Sequence, residues 1–137
     1  MRRQYEAWLT EFDPDLFMTL GANRPVSIEM MDRTAREFFN HVHRKGLGPR
    51  WSKRPDCDRG HAIGFLEHPL TNTHLHLAVR APDPIQDIIV NGGEIWKGIL
   101  SGGHFYAGRA ENPEAIARYV TKDFWKLGPD AAVFLYA

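Results

Sequence analysis

Two histidines separated by one residue carry the clearest chemistry in this sequence. In Thr73-His74-Leu75-His76-Leu77, apolar residues alternate with imidazoles. This pattern predicts a strand, in which residues i and i+2 share a face, so both imidazoles point the same way. Two histidines so placed can share one divalent ion. A bare motif of this length is nevertheless more often a pair of strand histidines that bind no metal.

A carboxylate in the preceding segment favours the metal interpretation. Glu67 ends an apolar run, and Pro69 and Asn72 lie between that run and the histidines, which predicts a hairpin. Whether Glu67 pairs with His74 or with His76, all three side chains lie on one face. Two imidazoles and one carboxylate leave coordination positions open, which suits a catalytic magnesium or manganese ion. The sequence therefore predicts a metal site.

A tyrosine and a lysine stand three residues apart further along the chain. Tyr119 and Lys122 share a face of the helix predicted for residues 112–127. A phenol, with a pKa near 10, is a weak nucleophile unless a neighbouring positive charge favours the phenolate. Lys122 could supply that charge or grip a phosphate. By itself the pair is common and is usually a packing tyrosine beside a surface charge.

Three motifs in order resemble those of the HUH endonucleases (His-hydrophobe-His), most closely the rolling-circle replication initiators of plasmids and small DNA viruses. Phe17-Met18-Thr19-Leu20 resembles the first motif, Glu67 with His74-Leu75-His76 the second, and Tyr119-Val120-Thr121-Lys122 the third. There are departures. Gly21-Ala22 stand where relatives often carry polar residues, a second tyrosine one turn away is absent, and so is a helicase phosphate loop.

The resemblance implies a nickase for single-stranded DNA at an origin or hairpin. Glu67, His74 and His76 would hold Mg²⁺ or Mn²⁺. Tyr119 would attack and retain the 5′-phosphate, Lys122 would assist, and the freed 3′-hydroxyl could prime replication and later rejoin. Thr19 would have a structural role in the sheet. Host replication proteins would be further partners, in the cytoplasm or, for a virus of eukaryotes, the nucleus.

Two alternatives remain open. One is a single-tyrosine transposase of the same superfamily, and the other is a DNA-binding regulator that keeps the fold without cleavage. Tyr106 and Tyr136 fall on predicted strands, and we expect both to be bystanders.

A basic segment around Trp51 is the candidate DNA contact. Basic side chains neutralise phosphates, and an aromatic ring can stack on an unpaired base. The competing interpretation is a solvated loop after a helix C-terminus, where basic residues are favoured anyway. The predicted DNA-binding residues are Arg44, Lys45, Arg50, Trp51, Lys53 and Arg54.

Other polar residues receive smaller roles. Asp56-Cys57-Asp58 follows Pro55 and predicts a turn. His61 has the strand parity of Glu67, so a weak role near the site is open to it. His41 and His43 lie in a helix whose apolar stripe is already complete, and we expect both at the surface.

Composition and periodicity indicate the kind of fold that would hold these residues. The chain has 137 residues, of which 43% are hydrophobic, and we expect one soluble domain over 1–137. A net charge of zero gives no general attraction to nucleic acid. One cysteine excludes an intramolecular disulfide, and no apolar run is long enough for a membrane span.

The predicted elements give an α+β fold. We expect an antiparallel sheet of about five strands flanked by helices, in a two- to three-layer sandwich of the HUH or RRM-like kind. Predicted strands cover residues 16–20, 60–67, 73–80, 104–109 and 133–136, predicted helices cover 3–12, 28–46 and 112–127, residues 44–58 form a loop, and 85–100 is ambiguous.

Overall fold

An antiparallel sheet forms the centre of the structure. The computed structural model describes residues 2–67, 71–109 and 132–136. The sheet has the order β4-β1-β3-β2-β5, and every neighbouring pair is antiparallel. Its strands are β1 (Leu16–Gly21), β2 (His61–Glu67), β3 (His74–Arg80), β4 (His104–Arg109) and β5 (Ala132–Tyr136). Together with the helices, this sheet confirms the predicted α+β class.

In the described part of the chain, four α-helices accompany the sheet: α1 (Arg2–Phe12), α2 (Ile28–Leu47), α3 (Asp83–Val90) and α4 (Gly93–Ile99). Helix α2 begins as its sequence predicts, because the Ser27 hydroxyl accepts a hydrogen bond from the Met30 N–H at 3.1 Å. The ambiguous segment after residue 85 becomes two helices that meet at Gly92. A Cβ on Gly92 would lie 2.9 Å from Cζ of Phe38, so only glycine allows so close an approach. None of the described helices has the length and apolar character needed to cross a bilayer.

The main hydrophobic core lies on one face of the sheet, and a smaller buried group with Ile63 and Phe65 lies on the other. Leu75, Leu77 and Val79 of β3 alternate with the histidines and are fully buried, as predicted. The apolar stripe of α2 and the inner sides of α3 and α4 cover this face. Trp96 of α4 is also fully buried, and its indole N–H donates to the Gly21 carbonyl at 3.1 Å. Helix α4 is thereby fixed to the end of β1.

The surface position predicted for His43 is wrong. Its side chain is fully buried, its Nε2 accepts a hydrogen bond from the Gly60 N–H at 2.9 Å, and its ring stacks on Trp51 with centroids 4.8 Å apart. The chain after α2 folds back over the end of the helix and covers this residue. Burial, helped by the charges of Arg59 and His61, lowers the pKa of His43 to about 4. His41, in contrast, is exposed as predicted.

His43 should make the stability of the fold depend on pH. Because its pKa is lower in the folded state than the value of 6.5 for an unperturbed histidine, the unfolded chain binds more protons between pH 6.5 and 4. The contribution of His43 to the free energy of unfolding is fully present above pH 6.5 and falls as the pH drops towards 4. Below pH 4 it changes no further. The loss should reach at most about 3 kcal/mol.

Urea unfolding of the wild type and of His43→Gln at several pH values measures this effect. Other acid-sensitive groups are common to both proteins, so the difference between their curves isolates His43. We expect the variant to lose less stability between pH 7 and pH 4. Parallel losses in the two proteins would contradict a neutral, buried His43.

Candidate metal centre

The face of the sheet opposite the core carries the predicted metal ligands. Strand register places Glu67 of β2 directly opposite His74 of β3. His76 follows two residues later on the same strand and therefore shares the face. The prediction that all three side chains lie together is confirmed.

The two imidazoles converge on the carboxylate. His74 Nε2 lies 2.5 Å from one oxygen of Glu67, and His76 Nε2 lies 3.4 Å from the other. The rings are nearly perpendicular, and one ligand atom from each residue falls within 4.8 Å of the others. Ligand atoms about 2.0–2.2 Å from one divalent ion are themselves roughly 3 Å apart. The group could therefore hold a metal ion with small adjustments.

The remaining ring nitrogens orient the two histidines. His74 Nδ1 lies 3.3 Å from the Asn72 carbonyl, which can only accept, so with a cation on Nε2 the ring's one proton would be on Nδ1. His76 Nδ1 lies 3.1 Å from the Thr19 hydroxyl. Such contacts behind a ligand fix its ring and direct the other nitrogen towards a metal. Sequence reasoning gave Thr19 a structural role in the sheet but missed this contact.

Electrostatics keep the carboxylate charged. Burial acts to raise the pKa of Glu67, but hydrogen bonds from His74 and His76, together with their charges, outweigh it and lower the pKa to about 2. Glu67 is 8% exposed and His76 is 7% exposed. A buried anion beside two imidazoles is a suitable donor set for a hard or borderline divalent cation.

A cavity of about 440 Å³ opens in front of the cluster. Besides His74 and His76, its walls include Phe17 and Gly21 of β1 and His104 and Tyr106 of β4. Tyr106, expected to be a bystander, thus faces the same space as the histidines. Tyr136 lies on the core face instead, is 4% exposed, and donates its hydroxyl to Asp32 at 2.9 Å, which is a packing role.

The predicted nucleophile helix lies outside the described residues, and with it Tyr119 and Lys122. The structure therefore gives no position for either side chain relative to the cluster. Their proposed roles remain those inferred from the sequence.

The basic segment lies away from the cluster. Arg44 and Lys45 are in the last turn of α2, and the exposed Arg50, Lys53 and Arg54 follow in a turn that leads to the first residue of β2. Glu67 is at the other end of this seven-residue strand, roughly 20 Å away. The structure does not bring this segment beside the metal ligands.

His61 also lies at the far end of β2. It shares the face of Glu67, but its Nε2 lies 2.9 Å from the Asp56 carbonyl, so a role near the site is not supported. Asp56–Asp58 forms a short 3-10 turn, which agrees with the predicted turn, and Cys57 is exposed there.

The Thr19 contact should matter for metal affinity. Thr19→Val keeps the shape of the side chain but removes the hydroxyl that holds His76 Nδ1. Loss of such an outer partner typically lowers metal affinity about 10- to 100-fold. Calorimetric titration of the purified chain with Mn²⁺ measures the change, and His76→Ala should abolish binding at this site.

Thr34→Val is the matched control. Thr34 is equally buried, but its hydroxyl donates to the Met30 carbonyl within α2, away from the cluster. We expect this variant to bind Mn²⁺ as the wild type does. If Thr19→Val did the same, the orientation of His76 would not depend on Thr19.

Comparison of this chain with protein-family models, with curated proteins and with solved structures yields no match. The resemblance to the HUH endonucleases therefore rests on the three sequence motifs.

Proposed function

We propose that this chain is a metal-dependent endonuclease that nicks and rejoins single-stranded DNA, with Tyr119 as the nucleophile. The proposal includes an HUH or RRM-like sandwich and a role in starting rolling-circle replication. The observation that carries it is the convergence of Glu67, His74 and His76 on one point, beside an open cavity that the two histidines line. The order of the three motifs in the sequence supports it.

The donor set favours a catalytic ion over a structural one. Structural zinc sites are usually closed by four protein ligands, often cysteines. Here the described residues supply three ligands, and Cys57 lies in the turn before β2, far from Glu67. Magnesium or manganese in such a set retains positions for substrate oxygens. When bound, the ion would neutralise phosphodiester charge and polarise a phosphoryl oxygen.

The chain's own residues then have distinct roles. Glu67, His74 and His76 hold the ion, while Thr19 and Asn72 orient the two rings. The phenolic oxygen of Tyr119 loses its proton and forms a bond to phosphorus as the bond from phosphorus to the 3′-oxygen breaks. That oxygen takes up a proton and leaves as a 3′-hydroxyl. Joining is the reverse, with the 3′-hydroxyl attacking the phosphotyrosine and returning the phenol.

The first motif favours a replication initiator over a transposase. Its threonine, Thr19, reaches a metal ligand directly, so this strand belongs to the site and not only to the sheet. A regulator that binds DNA without cleavage would need neither the three converging ligands nor the cavity beside them. Both observations support an enzyme.

Replacement of the nucleophile is the decisive test. Tyr119→Phe removes one hydroxyl and should barely change stability, since such substitutions usually cost little. It should eliminate the covalent adduct formed when the protein is incubated with a mixed single-stranded DNA pool and Mn²⁺. Lys122→Ala should slow cleavage by up to about 1,000-fold without abolishing it. Mass spectrometry of the adduct and end-labelled cleavage assays provide the readouts.

Tyr106→Phe is the control, because Tyr106 faces the cavity and is the obvious competing phenol. We expect this variant to form the adduct normally. An adduct that survives Tyr119→Phe would refute the assignment of the nucleophile. Cleavage by the wild type without any adduct would indicate a metallonuclease that uses water.

The basic segment should contribute only to the binding of longer oligonucleotides. Strand β2, which begins after this segment and ends at Glu67, is roughly 20 Å long, a length that corresponds to about six nucleotides of a stacked strand. Neutralising Arg50, Lys53 and Arg54 together should weaken binding of long oligonucleotides and lower the salt slope by about 0.7 per lost phosphate contact. Binding of oligonucleotides shorter than that span should not change.

Arg54 also pairs with Asp58 at 3.0 Å, so Arg54→Gln alone is a useful comparison. It reports how much of the combined effect comes from losing this ion pair. An unchanged salt slope with the long oligonucleotide would exclude this segment from the backbone path.

A further inference from the structure

Tyr106 is unusual among the described residues in its exposure. Among the side chains whose exposure the structure describes, two large hydrophobic ones are exposed, Trp8 at 38% and Tyr106 at 46%. Trp8 is on α1, whereas Tyr106 is on the sheet face that carries the metal cluster. The Tyr106 ring lies against Phe17, with centroids 5.4 Å apart and planes inclined by 34°. Phe17 supports the ring from one side.

Strand register fixes the distance between this aromatic surface and the metal cluster. Thr19 pairs with His76 on one side and with Tyr106 on the other. The Cα atoms of His76 and Tyr106 are therefore two strand spacings apart, roughly 10 Å. This span is comparable to the reach of one nucleotide from its phosphate, across the sugar, to its base.

The groove between the histidines of the metal cluster on β3 and Tyr106 on β4 has small residues along its floor. Gly21 pairs with His74 and with His104, so these two histidines stand on either side of a residue that has no side chain. A Cβ at Gly21 would lie 3.2 Å from the Cβ of His104, closer than most contacts of this kind. With threonine and glycine as the floor, the groove can admit a sugar and its phosphate.

We propose that Tyr106, backed by Phe17, is a stacking platform for an unpaired nucleobase whose phosphate lies at the Glu67–His74–His76 cluster. This inference rests on the proposed function and adds to it the residue that contacts the base. Two rings make a smaller apolar area than a protein partner usually needs, and the groove beside them also carries Asn72 and three histidines. A flat base joined to a charged backbone matches both features.

The test compares two probes that carry the same charges. One is a fluorescein-labelled oligothymidylate of about ten nucleotides, within the usual size of a single-strand site. The other is the same sugar-phosphate chain without bases. With Mn²⁺ present, wild-type protein should prefer the oligothymidylate. Tyr106→Ala should weaken its binding about 5- to 150-fold, the range for loss of one stacked base. It should leave binding of the abasic chain unchanged, so the preference for bases shrinks by the same factor.

Two more variants and one further measurement complete the design. Tyr106→Phe keeps the ring and should bind as the wild type does, while Trp8→Ala removes the other exposed aromatic and should have no effect. Mn²⁺ affinity measured without DNA should be the same in all variants, which excludes damage to the metal site. An undiminished preference for bases in Tyr106→Ala would overturn the inference while leaving the proposed function standing. Failure of the wild type to bind either probe would overturn both.

Discussion

The pairing of Glu67 with His74 across β2 and β3 is the constraint on which the candidate site depends. Side chains alternate between the two faces of a strand, so a slip of one residue would turn the histidines into the core and expose Leu75 and Leu77. Burial of those leucines therefore holds the histidines on the face opposite the main core. The same packing that stabilises the sheet also assembles the ligands.

The local part of the site was predictable from the sequence, whereas its surroundings were not. A two-residue period and a short hairpin are local features, and they were enough to place Glu67, His74 and His76 on one face. The contact between Thr19 and His76 depends on the register of two strands far apart in the sequence. The place of Tyr106 depends on a second such register. Nothing in the residues near either position specifies these alignments.

The same distinction between local and distant contacts explains the results for the helices. Helix α2 carries its own signals, a capping serine and a regular apolar stripe, and both were found in the sequence. The burial of His43 comes from the turn that follows and from the Gly60 N–H, seventeen residues away. The two short helices after Ala81 were ambiguous because their boundary at Gly92 is set by contact with Phe38. A residue's burial is decided by the chain that folds over it.

One end of the groove beside the metal cluster is also supported from the opposite side of the sheet. Trp96 of α4 reaches through the core to the Gly21 carbonyl, and a Cβ at Gly103 would lie 2.8 Å from its indole nitrogen. The end of β1 and the chain entering β4 are thus both packed against one buried tryptophan. His74, Gly21 and His104 lie in one row across three strands, so strand pairing sets their spacing and this packing supports the row from behind. The cavity is open because glycine occupies the middle of that row, and it keeps its shape because α4 holds the row in place.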